Sequence, residues 1–362
     1  MPKRVNKPKG LVPFWKGPKE DGLTQSLLGR FLNCRHRFYL KTILGLTEEE
    51  GFRVPIEYGN IWHECEEALA AGQNWNLKAK ECAERLCREY PLEQEKVSHW
   101  YQVCVVQFPI YVKYWEKHKD TQARKNVASE LAFKAPYVLP DGREVTLRGK
   151  FDSVDLIGKG KKAELYLQEN KTKGDINEEQ LVEQLTFDLQ TMFYLVALRS
   201  LRLGGKHPTG IRYNVIRRPL SGGKGTIRQH KPSKAKPQGE SAVDFYNRVK
   251  GVIEEDQDRY FMRWSVAIAP QELVAFEHQF LIPILTQLCD WWEWISADPA
   301  NPFRGDANGT AGGGFHWRHP YGIYDPLARG GRTNLDEYLL NGSTIGLTKA
   351  KTLYPELDNA NS

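Results

Sequence analysis

Residues 144–173 read EVTLRGKFDSVDLIGKGKKAELYLQENKTK, two strand-like runs around a Gly- and Lys-rich turn. In the first run Leu147, Gly149 and Phe151 alternate with Arg148, Lys150 and Asp152, the period of two expected of a strand with one apolar and one polar face. Asp152 falls on the polar face, and Asp155 on the other if the strand stays regular. In the second run Glu169 and Lys171 are two apart and project to the same side. A carboxylate and an ammonium at one point suit a hard divalent cation and a phosphate: the first holds the metal, the second steadies a water or a developing charge. An acid 17 positions earlier, on a neighbouring strand, can converge on the same point. Read singly, Glu169 and Lys171 also fit a surface ion pair, and Asp152 a solvated strand acid.

Working outward, residues 127–139 (VASELAFKAPYVL) and the DGR turn add a third strand. Downstream, residues 178–201 read as one helix, GIRYNVIRR (210–218) as a strand and RWSVAIA (263–269) as the last strand. A helix opening at Ser241, with Asp244 as an approximate capping box, and a long helix over 271–297 complete this half. Upstream, Thr24 is a candidate N-cap for the run TQSLLGRFLNCRHRFYLKTIL. A second helix spans about Asn60–Ala71, and two more precede residue 120. Trp100, Tyr101, Phe108, Tyr111, Tyr114 and Trp115 supply core to the longest. Strands interleaved with helices predict an α/β fold, a central sheet flanked by helices behind a helical N-terminal region. The divisions are a basic arm over 1–22, a helical region over 23–126, a core over 127–300 with a basic flexible loop at 220–240, and an irregular tail over 301–362 packed on the core.

The 362 residues are 40% apolar, enough for a core, and 51 Lys+Arg against 45 Asp+Glu leave a net charge of +6. That excess permits nucleic acid as a partner without requiring it. No run approaches the roughly 18 apolar residues of a membrane span, and six scattered cysteines fit buried thiols in a reducing compartment better than a disulfide framework. The expectation is a cytoplasmic protein.

Two further signals flank the strands. Gly59-Asn60-Ile61-Trp62-His63 opens a helix; glycine permits close backbone approach, and a neutral imidazole is a good ligand for a divalent metal. His63 is followed by Glu64, Glu66 and Glu67, which read equally well as a solvated helix surface. Gln190 and Tyr194, one turn apart, share a helix face from which an amide and a phenol can grip phosphate, sugar or base.

Taken in order, G-x-x-x-H, G-x-x-D, E-x-K followed by Thr172, and Q-x-x-x-Y resemble the RecB-type branch of the PD-(D/E)XK nuclease superfamily. Phe31-x-x-Cys34-x-x-Arg37-Phe38 is similar to that branch's N-terminal C-x-x-R-[FY] segment. The resemblance covers roughly residues 24–200, with a weaker continuation to about 330, and implies a restriction-endonuclease-like core with a mixed sheet. It implies His63, Asp152, Glu169 and the Asn170 carbonyl as ligands of Mg²⁺ or Mn²⁺, and Lys171 orienting or deprotonating the attacking water. Gln190 and Tyr194 would position DNA or the nucleophile, Arg37 would be structural or face a phosphate, and Lys224, Arg228 and Lys231 could track the backbone. The expected activity is a DNA exonuclease working on double-stranded ends or single strands in recombination, repair, phage replication or CRISPR adaptation. A recombination or single-strand-annealing protein is a candidate partner. The alternatives are a structure-specific endonuclease with the same site, and an assembly subunit that has lost the chemistry; the complete His/Asp/Glu/Lys set favours an enzyme. Many relatives hold a four-iron four-sulfur cluster, but only Cys34 and Cys289 fall near its usual places, so no cluster is expected. Trp291, Trp292, Trp294, Phe315, Trp317 and Tyr321 would then clamp the ends by packing near Phe31 and Phe38.

Overall fold

The computed structural model describes residues 13–48, 51–118, 123–176, 179, 183, 188–221, 226–234, 237–297, 347–354 and 357. A five-stranded mixed sheet is built from β2 (Arg124–Val138), β3 (Glu144–Ile157), β4 (Glu164–Lys173), β5 (Pro208–Arg217) and β6 (Phe261–Ala267), in that spatial order. Neighbours are antiparallel except β4 and β5, which run parallel and are joined through helix α6 (Leu189–Leu201). The three strands expected from sequence around residues 127–173 are present.

One sheet face packs on α1 (Gln25–Asn33), α2 (Arg35–Phe38), α6, α8 (Pro270–Phe276) and α9 (Ile282–Ala297), around Phe151, Val154, Leu167 and Phe193. A second core joins α3 (Val54–Ala70), α4 (Trp75–Glu89), α5 (Gln94–Glu116) and α7 (Ala242–Glu255) to the sheet at Ile216 and Phe261. Trp100, Phe108, Tyr111 and Trp115 are buried there, while Tyr101 and Tyr114 pack at its rim. Gly149 lies flat against Phe133 and Tyr194, where a Cβ would come within 2.7 Å of the Tyr194 ring. Only glycine fits that spot.

Several boundaries differ from the sequence reading. Thr24 caps α1, accepting from Leu27 N at 3.3 Å, but Cys34 is extended and breaks the helix; the chain resumes as α2 and then a π-helical turn, Tyr39–Ile43. Helix α3 starts at Val54, earlier than Asn60, because Pro55 fits a first helical turn. Asp188 is extended and caps α6 through Thr191 N, so no single helix runs through 178–201; most of 177–187 lies outside the described residues. Ser241 caps α7, and its hydroxyl donates to Asp244, so the acid does not reach back to the backbone as a capping box would. In the tail the described residues are not all irregular: β7 (Leu347–Lys349) pairs antiparallel with β1 (Leu46–Glu48).

The two ends of the described chain meet. Trp15 is 0% exposed and packs edge-on against Phe38 and Trp292, so the basic arm is docked from there on. The Tyr354 hydroxyl donates to the carbonyls of Asp21 and Gly22, and the Arg148 guanidinium covers its ring at 4.4 Å. Trp291 lies 5.6 Å from both Phe31 and Phe38, as expected of an aromatic clamp, but Trp294 is 47% exposed. Phe315, Trp317 and Tyr321 lie outside the described residues. All six cysteines are free thiols, with Cys34 and Cys289 both buried. No helix among the described residues is long and apolar enough to cross a membrane.

Trp291→Ala should therefore lower the unfolding free energy by about 3–5 kcal/mol, measured by urea denaturation. Trp294→Ala should change it by no more than about 0.5 kcal/mol.

Candidate active site

The site forms where the sheet divides. Strands β3 and β4 pair from Ile157↔Glu164 up to Ser153↔Gln168 and no further, although β3 stays paired with β2 and β4 with β5. The next residue on each side of this fork is an acid: Asp152 on β3, Glu169 on β4. Opening the fork removes a partner from the Asn170 backbone N–H, and Asp152 replaces it, its Oδ2 accepting at 2.8 Å. Glu169, Lys171 and Gln190 close a triangle: Lys171 Nζ donates to Glu169 Oε2 at 3.0 Å and to Gln190 Oε1 at 2.8 Å, and Gln190 Nε2 donates to Glu169 Oε2 at 2.9 Å. Asp188 starts α6 so that Gln190 falls in its first turn, beside the end of β4.

The strand is not regular here. Phe151 and Val154 both face the larger core though three apart, so the alternation slips at Asp152–Ser153. The cause lies opposite, on β2, where the register shifts between Asn126 and Ala128 and Glu130 has a left-handed backbone (φ 49°), strained for a residue with a side chain. The Glu130 carboxylate binds Lys150 at 2.5 Å and lies 3.9 Å from His63 Nδ1. One ligand atom each from His63, Glu130 and Asp152 lie within 4.8 Å of one another. Asp155 is buried in an ion pair with Arg124 (2.8 Å) and accepts from Asn126.

Helix α3 delivers His63, and its next turn delivers Glu66, whose Oε1 accepts from Tyr111 at 2.7 Å. Gly59 lies in the middle of this helix, and a Cβ there would meet Thr172 Oγ1 at an ordinary 3.5 Å, so close approach does not demand glycine. Tyr194 is placed differently from Gln190: its ring packs edge-on against the stacked pair Phe133 and Phe151, 5.5 and 5.6 Å away. Arg37, Arg228 and Lys231 are exposed, and Lys224 lies outside the described residues.

Glu130 escaped the sequence reading, and Glu66 entered it only beside Glu64 and Glu67 as a solvated helix surface. Glu66 stood one helical turn from His63, a spacing that could have found it. Nothing around Glu130 marks a reversal of backbone hand.

The donors suit a divalent cation. Four carboxylates (Glu66, Glu130, Asp152, Glu169) face two ammoniums (Lys150, Lys171), leaving two negative charges that one such ion offsets. Oε1 of Glu169 and Oε2 of Glu66 are buried without a hydrogen-bond partner. Burial pushes all four carboxyls up, Glu169 to about 7 and Glu130 to about 8, with Asp152's charge adding in both. Burial lowers His63 and, with Lys171 and Lys150, outweighs Glu66 and Glu169, which pull it up, keeping the imidazole neutral and able to ligate. Burial opposes charge on Lys171 too, but Glu169 and Asp152 outweigh it and the net shift is upward.

No curated protein matches the chain. The family model of the PD-(D/E)XK nuclease superfamily matches residues 22–280, a span containing the sheet, its fork and every acid described above. That match covers well over half of the 362 residues, and the chain belongs to this superfamily of metal-dependent nucleases.

Proposed function

We propose that the protein is a RecB-type exonuclease that hydrolyses DNA phosphodiesters with Mg²⁺ or Mn²⁺. The observation that carries this reading is the Glu169–Lys171–Gln190 triangle beside Asp152, with one Glu169 oxygen buried and unpartnered. His63 on a helix before the sheet, and Gln190 on the helix after it, support the RecB-type branch.

His63, Asp152, Glu169 and the Asn170 carbonyl are assigned to the metal, with Glu130 within reach of His63 and Asp152. A divalent cation held there supplies Lewis acidity toward water and phosphate. Lys171, kept as an ammonium by its neighbours, donates but does not accept, which favours orienting water and neutralising phosphate charge over acting as a base. Gln190 fixes both partners: it accepts from Lys171 and donates to Glu169, so neither can rotate away. Tyr194 supports this helix from behind through Phe133 and Phe151. Exposed Arg37, Arg228 and Lys231, with Lys224, are assigned to the DNA backbone. By their charge the arm over 1–22 and the loop over 220–240 are assigned to the same DNA backbone, and the nuclease core to 127–300.

The decisive assay supplies linear duplex, single-stranded and covalently closed circular DNA with Mg²⁺, Mn²⁺ or Ca²⁺. Linear DNA should be degraded in Mg²⁺ or Mn²⁺ and the circle spared; cutting of the circle at an equal rate would make the protein an endonuclease. Ca²⁺, which takes more ligands at longer distances, should support binding without hydrolysis. Glu169→Gln, Asp152→Asn and Lys171→Met should each slow cleavage at least about a hundredfold. Mn²⁺ affinity should fall in the first two and survive in the third.

Metal binding should also depend on pH. Unfolded Glu titrates near pH 4.3, whereas folding moves Glu169 to about 7 and Glu130 to about 8. Between those values the folded chain holds protons that the unfolded chain has lost, so metal-free stability from these groups is full at low pH and lost as pH rises through the folded values. Thermal melts should show Mn²⁺ raising Tm more at pH 8 than at pH 5; equal shifts would remove these acids from the metal site.

A further inference from the structure

The register of β3 and β4, carried past the point where they part, sets like charges opposite one another. Pairing ends at Ser153↔Gln168. One rung further Asp152 would face Glu169, and two rungs beyond that Lys150 would face Lys171. Like charges directly opposite on neighbouring strands repel, which favours an open fork at both rungs. Each arm thus carries an acid and, two residues further into the opening on the same strand face, a lysine.

The two lysines are engaged differently. Lys171 is bound to the acid of its own arm, Glu169, at 3.0 Å. Lys150 turns away from the fork: its partner across on β2 is Ala132, and its ammonium reaches diagonally to Glu130 Oε2 at 2.5 Å. Ser129↔Ser153 and Leu131↔Phe151 set Glu130 itself opposite Asp152, a further pair of like charges. The left-handed backbone of Glu130 is strained, and strain of that kind persists where a site uses it. The same carboxylate that holds Lys150 also belongs to the His63–Glu130–Asp152 group, whose ligand atoms lie within 4.8 Å of one another. One side chain therefore stands between an ammonium and a candidate cation position. A divalent ion competes for it with twice the charge.

We infer that Lys150 is a second phosphate-binding lysine, held by Glu130 in the metal-free site and released to the DNA backbone when a divalent cation takes that carboxylate. Lys150 and Lys171 then face the phosphates of the substrate from opposite arms of the fork. The Lys150 side chain keeps 16% of its surface exposed, so its ammonium is not sealed inside the protein. The arrangement makes cation and DNA each raise the affinity for the other, since both draw on the same broken ion pair. The inference rests on the proposed nuclease reading for DNA as the ligand, but it is read from binding and not from cleavage.

The experiment measures binding of the full chain to a labelled DNA duplex with a single-stranded overhang, by fluorescence anisotropy, in Ca²⁺ and in EDTA. Lys150→Met should weaken binding about tenfold in Ca²⁺ and lower the salt slope by about one, with no more than about a twofold change in EDTA. Lys150→Arg should keep the Ca²⁺-dependent affinity. Glu130→Gly suits the left-handed backbone and removes the carboxylate, so it should tighten binding in EDTA, and the Glu130→Gly/Lys150→Met double variant should not. Without DNA, Lys150→Met should bind Mn²⁺ at least as tightly as the wild type, because Glu130 has lost the ammonium that competes for it; weaker Mn²⁺ binding overturns the inference. Wild-type DNA affinity and salt slope for Lys150→Met in Ca²⁺ overturn it too, whether or not the protein cuts DNA. An equal loss in Ca²⁺ and EDTA overturns the release by a cation. Affinity that depends on both Lys150 and Ca²⁺, in a protein that cuts no DNA with any metal, keeps the inference and overturns the nuclease reading.

Discussion

The parting of β3 from β4 is the constraint on which the site depends. A sheet that stayed zipped would spend every backbone donor in its ladder and leave no room between neighbouring strands. Here the ladder stops at Ser153↔Gln168, and the first side chain beyond the stop, Asp152, takes the freed Asn170 N–H. The bond answers an unsatisfied backbone group and, in the same act, sets one acid's position relative to Glu169. The placing of that acid and the backbone accounting are solved by a single contact.

The two cores then hold the arms of the fork from opposite sides. Helix α6 brings Gln190 to Glu169 and Lys171, while α3 brings His63 and Glu66 toward Asp152. Between α3, α5 and the sheet runs a polar network through Glu66, Tyr111, Asn214 and Asn170. Buried polar groups so linked specify one arrangement more sharply than an apolar contact would. Two of the unpartnered buried oxygens, Glu66 Oε2 and Glu169 Oε1, belong to carboxylates of this candidate site.

How much of this could be read in the sequence follows from its physics. Asp152, Glu169, Lys171 and Gln190 were legible because a period of two on strands and the order of four short motifs are local properties. The sheet followed from alternation and turn residues. Glu130 was not legible: its use depends on a left-handed backbone in mid-strand, which no neighbouring residue announces. Tyr194 shares a helix with Gln190, yet its ring goes to the core, because the vacancy above Gly149 is a tertiary feature. Trp15 was hidden in the same way, standing with Phe14 in a stretch of Lys, Gly and Pro, its burial dependent on Trp292, far along the chain. The early end of β3–β4 pairing also leaves no trace in either strand's own sequence.

The joined ends have a consequence for how the molecule is made. Tyr354 caps the carbonyls of Asp21 and Gly22, and β7 completes the ribbon begun by β1, so residues some 300 positions apart share one set of bonds. During synthesis the ribosome delivers the sheet, the fork and most helices long before residue 347 emerges. Until then the edge of β1 stays open to water or to other chains, while Arg148 and Trp15 already donate to the carbonyls of Asp21 and Gly22. Loop closure over such a span adds little entropy cost once the intervening core is folded, because that core already brings the ends close. The last contacts in time thus add Leu347, Tyr354 and Leu357 to the larger core, and a nascent chain arrested before residue 347 would carry the sheet and its fork with that corner of the core and the edge of β1 uncovered.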